Sequence, residues 1–474
     1  MKRLISFFVV VVLAATLSPL GVVIGASYEQ VAKLTASDSA TYTYFGIAVS
    51  ISGDTIVVGA DWDNEIAANA GAAYVFERNQ GGANQWGEVK KLTASDGATL
   101  DLFGVSVSID GDTIVVGAPY DDDKGTDSGS GYVFGRNQGG ANQWGLLKKL
   151  TASDGAGGDL FGHSVSISGD TIVVGALYDD NANGSEAGSA YVFERNEGGD
   201  NQWGQVKKLT ALDGAAYDSF GWATSISGDT ILVGAREDDD DGSNSGSAYV
   251  FERNQPAADQ WGEVKKLTAS DGAGGDLFGY SVSISGDTVV VGAYGDDDSG
   301  ADSGSAYVFE RNEPAANQWS EVKKLTASDG AASDYFGFAV SINGDTVVVG
   351  AFYDDNANGS DAGSAYAFQR DEGGADNWGE VTKLTASDGA ADDYLGVSVF
   401  VSGDTIVVGA EGDDDKGETS GSAYVFQISS PEQPPSGPPG VPGVSFWGNV
   451  VLVLVLAGAM VWSVRRRDVA AEAR

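Results

Sequence analysis

The stretch FGVSVSIDGDTIVVGAPYDDDKGTDSGSGYVFGRNQGGANQWGLLKKLTASDGA, residues 103–156, carries four strand signals in a row. Residues 105–109 (VSVSI) alternate strictly, and residues 113–118 (TIVVGA) are almost continuously apolar, as in a strand buried on both faces. Residues 131–136 (GYVFGR) and 146–152 (LLKKLTA) complete the set, the last with a basic outer face. Gly111 opens a two-residue loop between the first two strands, which suits a tight antiparallel hairpin. No sustained helical period interrupts the pattern.

The unit is repeated. KLTASD or a near copy begins at Lys33, Lys91, Lys149, Lys208, Lys266, Lys324 and Lys383, at spacings of 58 or 59 residues. Seven units of four antiparallel strands predict an all-β, seven-bladed β-propeller over residues 27–430. The seventh unit stops after its third strand, residues 422–427, while residues 29–36 (EQVAKLTA) offer a spare fourth strand. That N-terminal strand is expected to complete blade seven and close the ring, removing the exposed edges of an open array.

Each first strand begins with Phe-Gly (Phe45-Gly46, Phe103-Gly104, Phe161-Gly162, Phe220-Gly221, Phe278-Gly279, Phe336-Gly337), except for Leu395-Gly396 in unit seven. Each second strand ends in Gly-Ala, and Gly-Ala-Pro occurs once, at residues 117–119. These pairs resemble the FG-GAP repeats of integrin α-subunit propellers and their bacterial relatives. The resemblance implies the propeller fold. It also implies calcium loops patterned Asp-x-Asp-x-Asp-Gly-x-x-Asp between the first and second strands. Here that hairpin has shrunk to Gly-Asp, so those sites are absent.

In the meander, the second-to-third and fourth-to-first connections emerge on one face, which collects the aspartates. Oxygen ligands at alternate positions suit Ca²⁺. The candidate metal residues are Asp121, Asp123 and Asp127; Asp179, Asn181 and Asn183; Asp238 and Asp240; Asp296, Asp298 and Asp302; Asp354, Asn356 and Asn358; and Asp413 and Asp415. Units three and six, with Asp-x-Asn-x-Asn-Gly, match the start of a calcium loop best. The alternative is a solvated turn whose side chains bond their own backbone. The residues after Gly-Ala vary from unit to unit, and Trp62, Tyr120, Tyr178, Arg236, Tyr294 and Tyr353 are the candidate ligand face. Trp86, Trp144, Trp203, Trp261, Trp319 and Trp378 read as packing anchors, and His163, the only histidine, as a substitution at a half-buried site.

A net charge of −41 disfavours nucleic acid and anionic membranes as partners and favours cations or basic ones. With no cysteine, disulfide and thiol chemistry are excluded. Residues 1–26 read as a secretory signal peptide. Residues 431–443 read as a Pro/Gly-rich linker, and 444–467 as a transmembrane helix with its Arg465–Arg467 cluster. Residues 468–474 are then a cytoplasmic tail. Pro442, Ser445, Trp447 and Gly448 ahead of that helix resemble the core of IPTL-type C-terminal sorting signals, which implies that the helix is cut off and the protein released or attached to the surface; the alternative is a retained single-pass anchor. The expectation is an exported, non-enzymatic, monomeric surface module that binds an extracellular protein or glycan with calcium support. A carboxylate-dependent glycan hydrolase or lyase and a structural surface-layer component remain as alternatives.

Overall fold

The computed structural model describes residues 27–429, apart from 139, 141, 198, 200, 201, 255–259, 312–317, 373, 375 and 376. The expected signal peptide, linker, membrane helix and tail lie outside the described residues. Among the described residues, no helix is long and apolar enough to cross a membrane.

The chain forms seven separate four-stranded antiparallel sheets. Blade two is built from Val107–Asp110, Thr113–Ala118, Ser130–Gly135 and Gly145–Leu150, paired in that order. The second strands are buried at every position, as their unbroken apolar runs require. Blade seven consists of Leu395–Ser402, Thr405–Ala410 and Ser422–Ile428, and Tyr28–Leu34 supplies its outer strand. The pairing runs from Tyr28 opposite Ile428 to Leu34 opposite Ala423, so the N-terminal strand closes the ring.

The two signature pairs meet between blades. Gly117 has no room for a side chain, because a Cβ there would lie 1.9 Å from the carbonyl oxygen of Gly162 in blade three. Gly162 itself has φ +97°, and a Cβ on it would lie 2.2 Å from the Ser130 carbonyl of blade two. Gly409 and Gly46 repeat the first contact, also at 1.9 Å, across the seam where the ring closes. Phe-Gly and Gly-Ala are therefore the two halves of one blade-to-blade joint. Phe103 fills the space beside it, fully buried against Val75 of blade one and edge-on to Tyr132 at 5.3 Å. Leu395 takes the same slot in blade seven without the aromatic edge.

On the face carrying the Gly-Asp hairpins, arginines tie neighbouring blades together. The Arg136 guanidinium donates to Asp112 in its own blade and to Glu77 and Thr55 of blade one. It lies 4.6 Å from the centroid of Trp144, which is buried. The tryptophans thus act as packing anchors under the arginines. Trp86 in blade one is the half-buried exception.

Candidate functional site

The acidic loops are organised around lysines. The Nζ of Lys149, the lysine of KLTASD in blade two, lies 2.7 Å from Asp96, 2.9 Å from Asp121 and 2.7 Å from Asp123. Tyr132 donates its hydroxyl hydrogen between Asp96 and Asp121 at 2.9 Å, and its ring lies beneath the ammonium. All seven blades repeat the pairing of this lysine with the second-to-third-loop aspartate. The pairs are Lys91 with Asp63, Lys208 with Asp179, Lys266 with Asp238, Lys324 with Asp296, Lys383 with Asp354 and Lys33 with Asp413. Burial alone would lower the Lys149 pKa. Bonds to Asp123, Asp96 and Asp121 outweigh it and hold the ammonium above its ordinary value.

This geometry changes the reading of the candidate metal residues. Among the described residues, two oxygen trios are close enough to hold a metal ion: Asp96, Asp121 and Asp123, and Asp271, Asp296 and Asp298. The third oxygen comes from the preceding fourth-to-first loop (Asp96, Asp271). Asp127 and Asp302 are not part of it; their backbone amides bond Asp122 and Asp297 instead. Both trios already surround a lysine ammonium. Asp240 and Asp415 close on Lys266 and Lys33 in the same way.

The loops of units three and six, which match a calcium loop best in sequence, prove the poorest. Asn181 turns its amide nitrogen to the Gly188 carbonyl at 2.7 Å, and Asn183 turns its own to Ala211 at 2.8 Å. Asn356 and Asn358 do the same toward Gly363 and Ala386. An amide can donate to backbone where a carboxylate cannot, so these side chains serve the turn. At both trios a lysine ammonium lies among the oxygens, so a metal ion bound there would have to displace it.

The chemical variety of the ring is gathered at its axis. The residue after each Phe-Gly lines a central cavity of about 260 Å³: Ile47, Val105, His163, Trp222, Tyr280, Phe338 and Val397. His163 to Phe338 form a continuous fan, with ring centroids 4.5, 5.3 and 4.8 Å apart. Burial pushes the His163 pKa down to about 4, and its Nδ1 faces the Trp222 carbonyl.

Over this ring, on the acidic face, sits a second one made of the residues directly after Gly-Ala. Arg236 lies 3.3 Å above the Trp222 ring and pairs with Glu237. Tyr294 packs edge-on to Tyr280 at 4.5 Å and beside Phe338, and Phe352 lies 4.2 Å from Phe338. Leu177 and Pro119 are buried. Asp61 and Glu411 complete the ring, and burial raises their pKa values to about 8 and about 7.

Of the expected ligand-face residues, Arg236 and Tyr294 pack directly on the central ring, while Tyr178 lines a separate cavity beside Asp154 and Asp179. Trp62 and Tyr120 are exposed, Trp62 against Tyr44 at 5.0 Å, while Tyr178 and Tyr353 are half-buried. Tyr353 packs between Tyr335 and Tyr394 at 5.1 and 5.4 Å. Sequence reasoning placed Asp61 and Glu411 among the variable residues after Gly-Ala but did not single them out as candidates. It missed Tyr44, Tyr335 and Tyr394, which precede Phe-Gly or its counterpart Leu-Gly at positive φ. The signal was weaker there: the residue before that pair is only Tyr, Leu or Ser, whereas the one after Gly-Ala differs in every unit.

No curated protein matches this sequence. A chain in the crystal structure of a mitotic checkpoint complex is similar over 90% of this chain and 99% of that one, at 11% identity and a TM-score of 0.48. That likeness says nothing of function. The FG-GAP repeat profile matches seven times, at residues 28–76, 86–134, 144–193, 203–251, 261–309, 319–368 and 378–426. Each match spans one outer strand and the first three strands of the next blade, and the chain belongs to the FG-GAP repeat family.

Proposed function

We propose that this propeller is a binding module, displayed outside the cell, that takes its ligand at the axial mouth of the acidic face. One observation carries the reading. The position after Gly-Ala has the same placement in every blade, yet it holds Asp61, Pro119, Leu177, Arg236, Tyr294, Phe352 and Glu411. The flanking joints hardly change, so variety confined to one ring suits selection for a ligand rather than for packing. The expected partner is an extracellular protein or glycan engaged by one propeller acting alone, and adhesion is the role that best suits an anchored or released surface domain.

In this reading the protein is a binder and not an enzyme. His163, engaged with backbone and held neutral by burial, is not a poised base in this reading. Calcium is an exchangeable competitor for the lysine ammonium at the two oxygen trios, not a structural ion. The direct test is a glycan and peptide array probed with the full chain and with Tyr353→Ala and Tyr294→Ala. A hit abolished by these variants supports the reading, and hits that ignore both variants sink it.

A further inference from the structure

Every fully buried aspartate of the ring but one has a partner. Those of the second-to-third loops hold a lysine ammonium, as Asp121 holds Lys149. Those of the fourth-to-first loops accept a backbone amide, as Asp159 does from Ala156 at 2.7 Å. Asp61 is the exception. It is 7% exposed, and its Oδ1 is buried with no hydrogen-bond partner. The backbone amides of Asp61 and Trp62 offset its burial only in part. Glu411, the same ring position in the neighbouring blade seven, has no hydrogen bond or ion pair to its side chain among the described residues. The two carboxyls are close enough for the charge of Glu411 to act on Asp61.

The surroundings are aromatic. Tyr280, Tyr353 and Tyr394 all lie in the field of Glu411. The nearest basic group of the ring, Arg236, is stacked on Trp222 and paired with Glu237. Two carboxyls and a set of π faces fall short of the six to eight oxygens that Ca²⁺ requires. They match what an alkylammonium requires, which is a counter-ion for its charge and ring faces for its methylenes and positive head.

Resting on the axial mouth being the ligand site, we propose that this mouth receives an organic ammonium group, with Asp61 and Glu411 as counter-ions and the tyrosine rings as walls. The ligand thereby supplies the cation that lysines give to Asp63, Asp121 and their counterparts in the second-to-third loops but that Asp61 lacks. Asp61, Glu411, His163, Arg236, Glu237, Tyr280, Tyr294, Tyr353 and Tyr394 are the titratable or charged groups facing the mouth. Of these, Asp61 and Glu411 change protonation between pH 6 and 9, so binding releases protons near neutrality and tightens as pH rises.

The experiment is calorimetric titration of the full chain with n-butylammonium, N-acetyl-lysine methylamide, glucose and Ca²⁺, in two buffers of different ionisation heat. Saturable binding of the amines, with proton release, is expected. Affinity should fall at least tenfold in Glu411→Gln and Asp61→Asn and recover in part in Glu411→Asp, while the melting temperatures of all three show intact folds. Binding of the lysine derivative alone would place the ammonium on a partner protein, and equal binding of butylammonium would make free amines the ligands. If glucose binds in a Tyr353-dependent way and no amine does, the ammonium proposal falls while the binding-module reading stands. Tighter, Glu411-dependent binding of Ca²⁺ overturns the proposal as well. If no arm binds, the ammonium proposal falls, and the array alone decides the binding-module reading.

Discussion

The ammonium of Lys149 lies 2.9 Å from the buried carboxylate of Asp121, in the position a bound cation would take in an acidic loop. The lysine comes from the fourth strand and the aspartate from the turn after Gly-Ala, 28 residues earlier. Repeated in all seven blades, this pairing turns a ring of negative charge into a set of cross-strand fasteners. Removing one partner of so buried a pair leaves the other uncompensated, which costs far more than the pair contributes on its own.

Lys149→Met should therefore destabilise the propeller by about 3 kcal/mol. It should also free the Asp96, Asp121 and Asp123 oxygens for a metal. The melting temperature of the variant should rise with Ca²⁺, by mass action, while that of the parent rises far less with Ca²⁺ and ignores a chelator. Thermal melts of the two proteins side by side decide the matter. A parent that loses stability in chelator refutes the idea that lysine stands in for the ion.

Asp61→Asn should stabilise the protein in a pH-dependent way. The folded pKa of Asp61 is raised by burial and by Glu411 to about 8, from an ordinary 3.8. The stability difference due to this group is therefore absent at low pH, grows against the folded state as pH rises above the ordinary value, and levels off above about 8. The variant's advantage in melting temperature should widen from pH 5 to pH 8 and then stay constant. A gap that is flat across this range contradicts the buried, unpaired carboxyl.

Two glycines should respond very differently to alanine. Gly117→Ala drives a methyl into the Gly162 carbonyl of the next blade and should cost about 3 kcal/mol. At Gly111, φ is +54° but nothing lies within 4 Å of the added carbon, so alanine should cost only about 1 kcal/mol. Urea denaturation of both variants gives the comparison. Equal losses would mean that the joint between blades is softer than its geometry indicates.

Deleting residues 27–34 removes the strand that pairs with Ser422–Ile428 and leaves blade seven with an open edge. The truncated ring should lose its single cooperative transition and self-associate through that edge. Calorimetry and light scattering test this, and adding the missing strand as a peptide should restore the parent melt.

Much of the fold is legible in residues 103–156. Alternation in VSVSI, the doubly buried run TIVVGA and the Gly111 turn mark three elements by local chemistry alone, and the 58-residue spacing multiplies them sevenfold. The surplus strand before Phe45 even tells how the ring closes, because a propeller has no other use for it. The site was less legible. Asp-x-Asn-x-Asn-Gly at Asp179 looks like a metal loop in one dimension, and only in space does Asn181 turn toward Gly188 while Lys208 takes the aspartate. Ligand geometry depends on side-chain direction and on residues from other loops, neither of which is written in local spacing.

The sequence by itself determined the blade, its number and its closure, because strand pairing and turns follow from local pattern and repetition. Only the tertiary structure decided which charges meet. It brought Lys149 to Asp96 and Asp121. It also set Asp61 and Glu411, 350 positions apart in the chain, beside each other at the axis without a cation. Burial and proximity are properties of the closed ring, and they fixed the protonation of these groups and the chemistry they offer a ligand.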